Sequence, residues 1–354
     1  MLRRSGILRG VTCVVALALL FCVGACTPST AWVREEVHVT GPFDTLSTAI
    51  LIGTQAAVRD ARTFLEDELW RYHRLFDIYH DAPEGTNLKT VNDRAGSAVR
   101  CPAELIDLLM FGRTIHRATD GNVNIAMGRV LALWHDARMH AEAHPDDAYL
   151  PSNDALARAA EHIDIEDVEI DGEAGTVRLA DPDMRLDVGA IAKGYAVERI
   201  ARALEARGLT SGVLDIGGNV RTLGRNAIDD RAWRIGIRHP DPNEDALLDA
   251  VSVEHMSVVT SGIYERAFEY RGTTYAHIID PATLFPAKYH EAVTVIGPDS
   301  GVADALSTAL MTMSLDDGAR LMRDHPDYEA IWATGGGTYE TSGYASYRCT
   351  DATP

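Results

Sequence analysis

The chain has 354 residues, of which 46% are hydrophobic, and its formal net charge is −19 at pH 7. This hydrophobic content excludes a disordered chain, and the length allows a large buried core. The strong negative charge disfavours nucleic acid and anionic surfaces, so we expect no nucleic-acid partner.

The N-terminus has the features of a targeting segment. Three arginines (Arg3, Arg4 and Arg9) precede an apolar run at residues 11–23, which is too short to span a bilayer comfortably. The sequence Val-Gly-Ala-Cys that ends at Cys26 resembles the lipobox of bacterial lipoproteins, in which the cysteine receives lipid and the chain is cut before it. The alternative is an ordinary secretory signal with an incidental cysteine.

We therefore predict a signal peptide at residues 1–25, a tether at 26–36 and one domain at 37–350. Acyl chains on Cys26, palmitate among them, would anchor the protein to the periplasmic side of the inner membrane. The mature part would carry a formal charge of −22, because the signal peptide contains three arginines and no acid. Cys101 and Cys349 would be the cysteines of the folded part, and the sequence leaves open whether they pair.

The residue pattern predicts the following elements in the first half of the chain. They are a strand at residues 37–52, helices at 56–79, 102–119 and 152–163, strands at 168–170, 177–179 and 185–188, and a helix at 191–207 that ends at Gly208. Residues 81–92 are predicted to form a loop.

In the second half, the same patterns predict strands at residues 213–216, 233–238, 251–253, 257–260, 276–279 and 293–297, helices at 301–313 and 314–324, and strands at 330–334 and 344–347. Helices and strands mix without strict alternation. This order favours an α+β fold over a doubly wound parallel sheet, with mixed or antiparallel sheets and packed helices.

Asp304 and Thr308 stand four residues apart in the predicted helix at 301–313 and therefore share one helix face. A carboxylate and a hydroxyl suit a hard cation such as Mg²⁺, and the first turn of a helix suits phosphate. The alternative is an acid that only complements the helix dipole, above a packed threonine.

Four other segments carry possible chemistry. In residues 186–196, Asp187 ends an apolar run and Lys193 lies in the first turn of a helix, where a bound anion would favour a lysine. Two glycines follow a strand in residues 214–219, and hydroxyl and charged groups follow a strand in residues 260–266. His277 precedes an Asp-Pro pair that is more typical of a turn than of a metal site. Taken singly, each segment also has a purely structural explanation.

Together, residues 186–196, 214–219, 260–266, 277–281 and 303–310 resemble the motifs of the ApbE family, the FAD:protein FMN transferases, in the expected order. The similarity extends over residues 40–322, with weaker matches at 76–79, 86–92 and 120–134. The chain departs from the family pattern at Phe43, Asn87, and residues 125–128 and 283–286. These departures concern individual flavin contacts more than the class of cofactor.

The resemblance implies the family's α+β fold, with FAD in a cleft between β-rich and helical parts. It implies that Mg²⁺ is held by the Ala190 carbonyl, Asp304 and Thr308. It implies flavin-nucleotide contacts at Phe43, Tyr79, Ala126, Met127, Gly128, Asp187, Lys193 and Ile278. His277 is the candidate base, since an imidazole exchanges a proton near neutral pH.

The implied reaction is Mg²⁺-dependent transfer of FMN from FAD to a Thr or Ser hydroxyl of a target flavoprotein, with release of AMP. One alternative is an FAD pyrophosphatase that uses water as acceptor and gives FMN and AMP. Another is a non-catalytic FAD-binding lipoprotein. A generic solute-binding lipoprotein of two lobes is disfavoured by the single-domain organisation.

Overall fold

The structure is a computed structural model that describes residues 31–349 except residues 242, 245 and 265. The predicted signal peptide and the predicted lipidation site, Cys26, lie outside the described residues. Strand β1 already begins at Trp32, within the segment predicted as a tether. Any tether that follows Cys26 therefore ends by residue 31.

The strands of the described residues, in chain order, are β1 Trp32–Thr40, β2 Leu46–Thr54, β3 Val99–Arg100, β4 Val168–Asp171, β5 Thr176–Leu179, β6 Ser211–Ile216, β7 Asn219–Leu223, β8 Trp233–Arg238, β9 Leu247–Val253, β10 Ser257–Gly262, β11 Phe268–Tyr270, β12 Thr273–Tyr275, β13 Ala292–Gly297, β14 Glu329–Thr334 and β15 Gly337–Glu340. The α-helices are α1 Gln55–Phe76, α2 Leu88–Asp93, α3 Ala103–Ala118, α4 Gly128–Ala143, α5 Asn153–Ala159, α6 Ala192–Ala206, α7 Ser300–Met311 and α8 Leu315–Arg323.

An eight-stranded sheet with the order β1-β2-β6-β7-β10-β13-β14-β15 forms the centre of the fold. Every pair of neighbouring strands in it is antiparallel. A three-stranded sheet (β3-β5-β4) and the hairpins β8–β9 and β11–β12 complete the strands. The predicted α+β fold with antiparallel sheets and packed helices is confirmed.

The two faces of the large sheet are covered by different elements, because side chains alternate along a strand. Val259 and Val295 belong to the main core, which includes apolar residues of α1, α3, α6 and α7. Their neighbours Val258 and Ile296 belong to a smaller cluster with β9 and the buried Tyr344. The helices therefore pack on one face of the sheet and the β8–β9 hairpin on the other.

Several chain turns meet at one end of this sheet, here called the cavity end. It consists of the β1–β2 turn (residues 41–45), the β6–β7 turn (residues 217–218) and the last residues of β10 (260–262). The strand register brings them together, since Ser47 pairs with Ile216, and Val259 pairs with Asn219. Gly217 and Gly218 have φ values of 55° and 85°, which glycine adopts most readily, so the double glycine forms a tight turn here.

Some sequence predictions of local structure are wrong. Residues 37–52 are two strands joined by a turn, and residues 344–347 form a 3₁₀ turn. Residues 276–279 make a single bridge, between Ile279 and Pro286. Residues 185–188 form only a single parallel bridge, between Arg185 and Met127, and the Asn92 side chain hydrogen-bonds both the N–H (2.7 Å) and the carbonyl (2.9 Å) of Leu186.

Helices α2 and α4 and strands β3, β7, β11, β12 and β15 were not predicted, and α2 begins within the predicted loop at residues 81–92. Helix α4 buries Val130, Trp134, Ala137 and Ala141, which recur at helical spacing, but small alanines and intervening histidines weaken this pattern. The predicted stop at Gly208 is confirmed, with a φ of 90°. Cys101 and Cys349 are free thiols. Among the described residues, no helix is long and apolar enough to cross a membrane.

Candidate active site

A cavity of about 590 Å³ opens at the cavity end of the sheet. Its walls come from α1, α4, α6, α7, the end of β10 and the loops between these elements. Ten residues predicted as site residues line it, namely Phe43, Tyr79, Met127, Asp187, Ala190, Lys193, His277, Ile278, Asp304 and Thr308. A volume of this size is ordinary for a small-molecule or cofactor site.

Asp304 is the most buried acidic group of the cavity, with 3% of its surface exposed. It lies in the second turn of α7, and its Oδ2 accepts a hydrogen bond from the Gly194 N–H at 2.8 Å. With the Asn219 amide nitrogen turned towards it, each carboxylate oxygen also lies 3.3 Å from that nitrogen. Burial raises the pKa of Asp304, while the Lys193 charge and these hydrogen bonds oppose the shift.

Helices α6 and α7 approach each other closely beside this carboxylate. A Cβ atom at Gly194 would lie 2.4 Å from Asp304 Cβ and 2.4 Å from the Ser300 carbonyl oxygen, so only glycine fits. Strand β10 also contacts α7, because Ser261 Oγ at the end of β10 lies 2.8 Å from Ser307 Oγ. Lys193, in the first turn of α6, therefore faces the same cavity as α7.

The segment before α6 is held by backbone contacts. The Asp187 N–H donates to the Ile125 carbonyl at 2.8 Å, and Asp187 Oδ1 accepts from the Gly189 N–H at 2.8 Å. Burial raises the pKa of Asp187, although the Gly189 hydrogen bond and the charges of His135 and Arg266 oppose it. The segment thus presents a fixed carboxylate and Ala190 to the cavity.

Phe43 lies in the β1–β2 turn and has a positive φ of 56°, which is uncommon for an aromatic residue. Its N–H donates to His73 Nδ1 on α1 at 3.1 Å, and its carbonyl accepts from Arg266 Nη2 at 3.3 Å. The surrounding structure therefore holds the turn in a conformation that costs free energy on its own.

A second aromatic group, Tyr79, also lines the cavity. Tyr79 is 53% exposed, and its ring stacks on His135 of α4 with ring centroids 5.1 Å apart. Burial of the hydroxyl and the nearby Asp187 carboxylate raise the pKa of Tyr79 to about 12. At neutral pH Tyr79 is therefore a neutral aromatic donor, suited to contact a planar ring or a phosphate oxygen.

His277 and Ile278 lie on the cavity wall in an irregular loop. The nearby Asp280 accepts hydrogen bonds from the Ala282 N–H (2.8 Å) and the Thr283 hydroxyl (3.1 Å), so the Asp-Pro pair forms the expected turn. Trp134 Nε1 donates to the Leu284 carbonyl at 2.9 Å and fixes this loop to α4.

Ala126 and Gly128 do not line the cavity, although both were predicted to contact the flavin nucleotide. Ala126 is fully buried in the core. The Gly128 N–H donates to the Arg185 carbonyl at 3.0 Å, and a Cβ at Gly128 would lie 2.6 Å from that oxygen. Ala126 and Gly128 therefore lie behind the cavity wall, and only Met127 between them lines the cavity.

Sequence reasoning missed several polar residues of the cavity. They are Asn122, Asn124, His135, Arg138 and Arg266. Arg266 lies within the segment 260–266 that the sequence singled out, but no role was assigned to it. His135 and Arg138 belong to α4, and recognising the spacing of Val130, Trp134 and Ala137 would have placed them on a helix.

The donor set at α7 fits a hard cation. A buried carboxylate is costly unless it is paired, and Asp304, Thr308 and Ala190 offer carboxylate, hydroxyl and carbonyl oxygens on one cavity wall. A second possible ligand group, His162, Asp181 and Asp183, does not line the cavity. There Asp181 already pairs with His162 at 2.6 Å and Asp183 with Arg129 at 2.6 Å.

Comparison with known proteins agrees with this geometry. The model of the ApbE family matches residues 44–332. An FAD:protein FMN transferase of Treponema pallidum is 37% identical over 69% of this chain and 70% of its own length. One of Klebsiella pneumoniae is 33% identical over 69% of this chain and 73% of its own length.

Solved structures give the same result. The crystal structure of the ApbE protein from Thermotoga maritima superposes with a TM-score of 0.79 at 25% identity and covers 90% of this chain and 100% of its own. The flavin transferase ApbE from Vibrio cholerae has a TM-score of 0.74 at 24% identity, covers 89% of this chain and 100% of its own, and shares the fold. The family match over most of the chain and these relatives show that the protein belongs to the ApbE family.

Proposed function

We propose that this protein is an FAD:protein FMN transferase that moves FMN from FAD to a Thr or Ser hydroxyl of a target flavoprotein. One observation carries the proposal. A single cavity brings the oxygen ligands of α7 and the Lys193 charge together with the aromatic side chains of Phe43 and Tyr79. This combination of oxygen ligands, positive charge and aromatic side chains matches a flavin dinucleotide, which is aromatic at its ends and anionic in its centre, and relatives of this chain are named as such transferases.

In the proposed reaction, the acceptor hydroxyl oxygen attacks the phosphorus of the FMN half of FAD. The new P–O bond forms as the bond to the AMP phosphate oxygen breaks, and AMP leaves. His277 is the proposed base that takes the hydroxyl proton, because it lies on the cavity wall. Lys193 would offset the negative charge that the pyrophosphate carries.

We propose that Asp304, Thr308 and the Ala190 carbonyl hold Mg²⁺. The ion would neutralise charge on the pyrophosphate and on the leaving phosphate, which otherwise repel an incoming oxygen nucleophile. Asp304 is well placed for this role, because the Gly194 N–H and the close packing of α6 against α7 fix its carboxylate.

We also propose that the mature chain is a lipoprotein anchored through Cys26 to the periplasmic side of the inner membrane. The lipobox-like sequence directly after the apolar run supports it. Cys26→Ser is expected to release the protein from membranes without changing its activity in solution. Retention of the variant in the membrane fraction would contradict this proposal.

The test of the catalytic proposal is incubation of the protein without its predicted signal peptide with FAD, Mg²⁺ and a flavoprotein domain that contains the acceptor hydroxyl. A mass gain equal to the FMN moiety on the acceptor, together with AMP, is the expected result, and EDTA should prevent both. Free FMN and AMP with an unchanged acceptor would indicate a pyrophosphatase instead. Intact FAD after long incubation would indicate a binding protein.

A further inference from the structure

Asn219 is a buried polar residue beside Asp304 to which the proposed reaction assigns no role. It is the first residue of β7 and is 1% exposed. With its amide nitrogen turned towards Asp304, that nitrogen lies 3.3 Å from each carboxylate oxygen, whereas in the opposite orientation the amide oxygen faces only acceptors. A buried polar group without a partner is costly, so the orientation that donates is the stable one. Asn219 therefore donates hydrogen bonds to the proposed Mg²⁺ ligand.

The two donors to Asp304 hold its carboxylate from behind the cavity wall. The second donor is the Gly194 N–H, at 2.8 Å from Asp304 Oδ2. Asp304 and Thr308 are among the described residues that line the cavity, but neither Gly194 nor Asn219 is. An ionised carboxylate has about four acceptor sites, so donors on one side leave sites for a ligand on the other. Asn219 thus contacts the proposed metal ligand without being placed to touch the metal.

The backbone of Asn219 is fixed on both sides. It pairs with Ile216 across the β6–β7 turn and with Val259 of β10, so Asn219 lies in the interior of the sheet. The tight turn at Gly217 and Gly218 directly precedes it and sets where β7 begins. The side chain therefore extends from a rigid strand, which lowers the entropy lost when the amide binds the carboxylate.

A second set of buried contacts joins α6, α7 and β7 one helical turn away. Glu198 lies one turn beyond Gly194 in α6. Arg221 lies two residues beyond Asn219, on the same face of β7. Glu198 Oε2 accepts hydrogen bonds from Arg221 Nε at 3.1 Å and from the Ser300 N–H of α7 at 2.9 Å. These contacts fix β7 against both helices, so the amide and the carboxylate are held at their distance by more than their own contact.

We propose that Asn219 is a positioning residue for Mg²⁺, whose amide holds the Asp304 carboxylate in the orientation that meets the ion. Hydrogen-bond partners of metal ligands orient those ligands, and their loss typically weakens metal binding roughly 10–100-fold. The inference rests on the proposed function, in which Asp304 holds Mg²⁺. It extends the site to a residue of the central sheet that does not line the cavity.

Two variants remove the amide, and a third serves as the matched control. Asn219→Leu keeps a side chain of similar size, and Asn219→Ala removes the amide without adding bulk. Val220→Ala is the control, because Val220 is the next residue of β7 and packs in the clusters on the other face of the sheet. The control loses apolar packing but keeps the contact between Asn219 and Asp304. Thermal unfolding records the change in stability of each variant.

Metal binding is measured without turnover by titrating the FAD-free protein with Mn²⁺, which suits the same oxygen ligands as Mg²⁺, and counting the free ion by electron paramagnetic resonance. The Mg²⁺ concentration that gives half-maximal AMP release at saturating FAD is the second readout. We expect both Asn219 variants to bind Mn²⁺ roughly 10–100-fold more weakly and to need correspondingly more Mg²⁺. Excess Mg²⁺ should restore most of the rate, because Asp304 is still present. Val220→Ala should change neither metal readout, even where its Tm falls.

Wild-type metal affinity in both Asn219 variants would overturn the positioning role while the proposed function stands. An equal loss of metal affinity in Val220→Ala would overturn it too, because the effect would then follow from stability alone. Absence of both Mn²⁺ binding and Mg²⁺-dependent AMP release in the wild type would count against the proposed Mg²⁺ site, and the inference would fall with it.

Discussion

Gly194 is the position where the packing of the active site can be tested most directly. It lies inside α6, where alanine normally stabilises a helix by about 1 kcal/mol relative to glycine. Here a Cβ would lie 2.4 Å from Asp304 Cβ and 2.4 Å from the Ser300 carbonyl oxygen, far inside the ordinary carbon–carbon contact of about 3.5–4.0 Å. Neither atom belongs to the end of a flexible side chain, so Gly194→Ala must push α7 away from α6.

Overpacking of this kind costs roughly 1–3 kcal/mol and outweighs the gain in helix propensity. We expect a net loss of about 1–2 kcal/mol in the free energy of unfolding, which corresponds to a fall in Tm of roughly 1–3 °C for a folded domain of this size. The shift also displaces Asp304, which is both a contact of Gly194 and the proposed Mg²⁺ ligand. A displacement of about 1 Å at such a group can lower the rate about 10²-fold.

The assay combines thermal unfolding followed by circular dichroism with Mg²⁺-dependent release of AMP from FAD. Gly172→Ala is the matched control, because a Cβ there meets nothing within 4 Å and its φ is ordinary. This control should unfold and turn over like the wild type, within about 0.5 kcal/mol. A Gly194→Ala variant with wild-type or higher Tm and normal turnover would refute the close approach of α6 and α7.

Three further predictions follow from buried groups. Asp304→Ala should slow AMP release about 10²-fold or more with an unchanged circular dichroism spectrum, because a lost metal ligand removes several kcal/mol of transition-state stabilisation. Normal turnover of this variant would contradict the proposed role of Asp304 as a Mg²⁺ ligand. Glu198→Gln should lower stability at neutral pH by about 3–5 kcal/mol, since it leaves the buried Arg221 unpaired. Burial opposes ionisation of Glu198, but the Arg221 charge and hydrogen bonds outweigh it and lower the pKa of Glu198 in the folded protein. The stabilisation by the ionised Glu198 is therefore present above the pKa of the unfolded state and is lost as the pH falls through the pKa of the folded state. The Tm difference between wild type and variant should therefore shrink in acid, and a constant difference would contradict the assignment. Burial raises the pKa of Cys101 to about 11, so alkylation of its thiol should be slow at pH 8 and faster as the pH rises or the chain unfolds. Mass spectrometry measures this alkylation, and rapid alkylation of the native protein at pH 8 would contradict the burial of Cys101.

The site predictions that came from helix spacing agree with the geometry of the structure. Asp304 and Thr308 both line the cavity, and Lys193 lies in the first turn of α6, as their spacing indicated. Helical periodicity is a local property, so the sequence alone sufficed. Ala126 and Gly128, assigned by resemblance, do not line the cavity, because Ala126 is fully buried in the core and Gly128 packs closely against the Arg185 carbonyl.

The errors of local structure have two causes. Within residues 37–52, Gly41 and Pro42 are a local turn signal that divides the run into two strands, and the turn, with its positive φ at Phe43, is held by His73 and Arg266. The extended segment at residues 185–188 has hydrogen-bond partners on the Asn92 side chain. Asn92 and Leu186 lie 94 positions apart in the sequence, so no local pattern predicts these hydrogen bonds.

The sequence by itself determined the α+β class, several of the main helices and the common helix face of Asp304 and Thr308, because hydrophobic periodicity and residue spacing express these directly. Only the tertiary structure decided which residues meet. The register of β1, β2, β6, β7 and β10 gathers two turns and the last residues of β10 at one end of the sheet. The absence of a side chain at Gly194 then lets α6 approach α7 closely enough to hydrogen-bond Asp304. The β2–β6 pairing and the Gly194–Asp304 hydrogen bond join residues more than a hundred positions apart, and their geometry follows from packing, which no local pattern encodes.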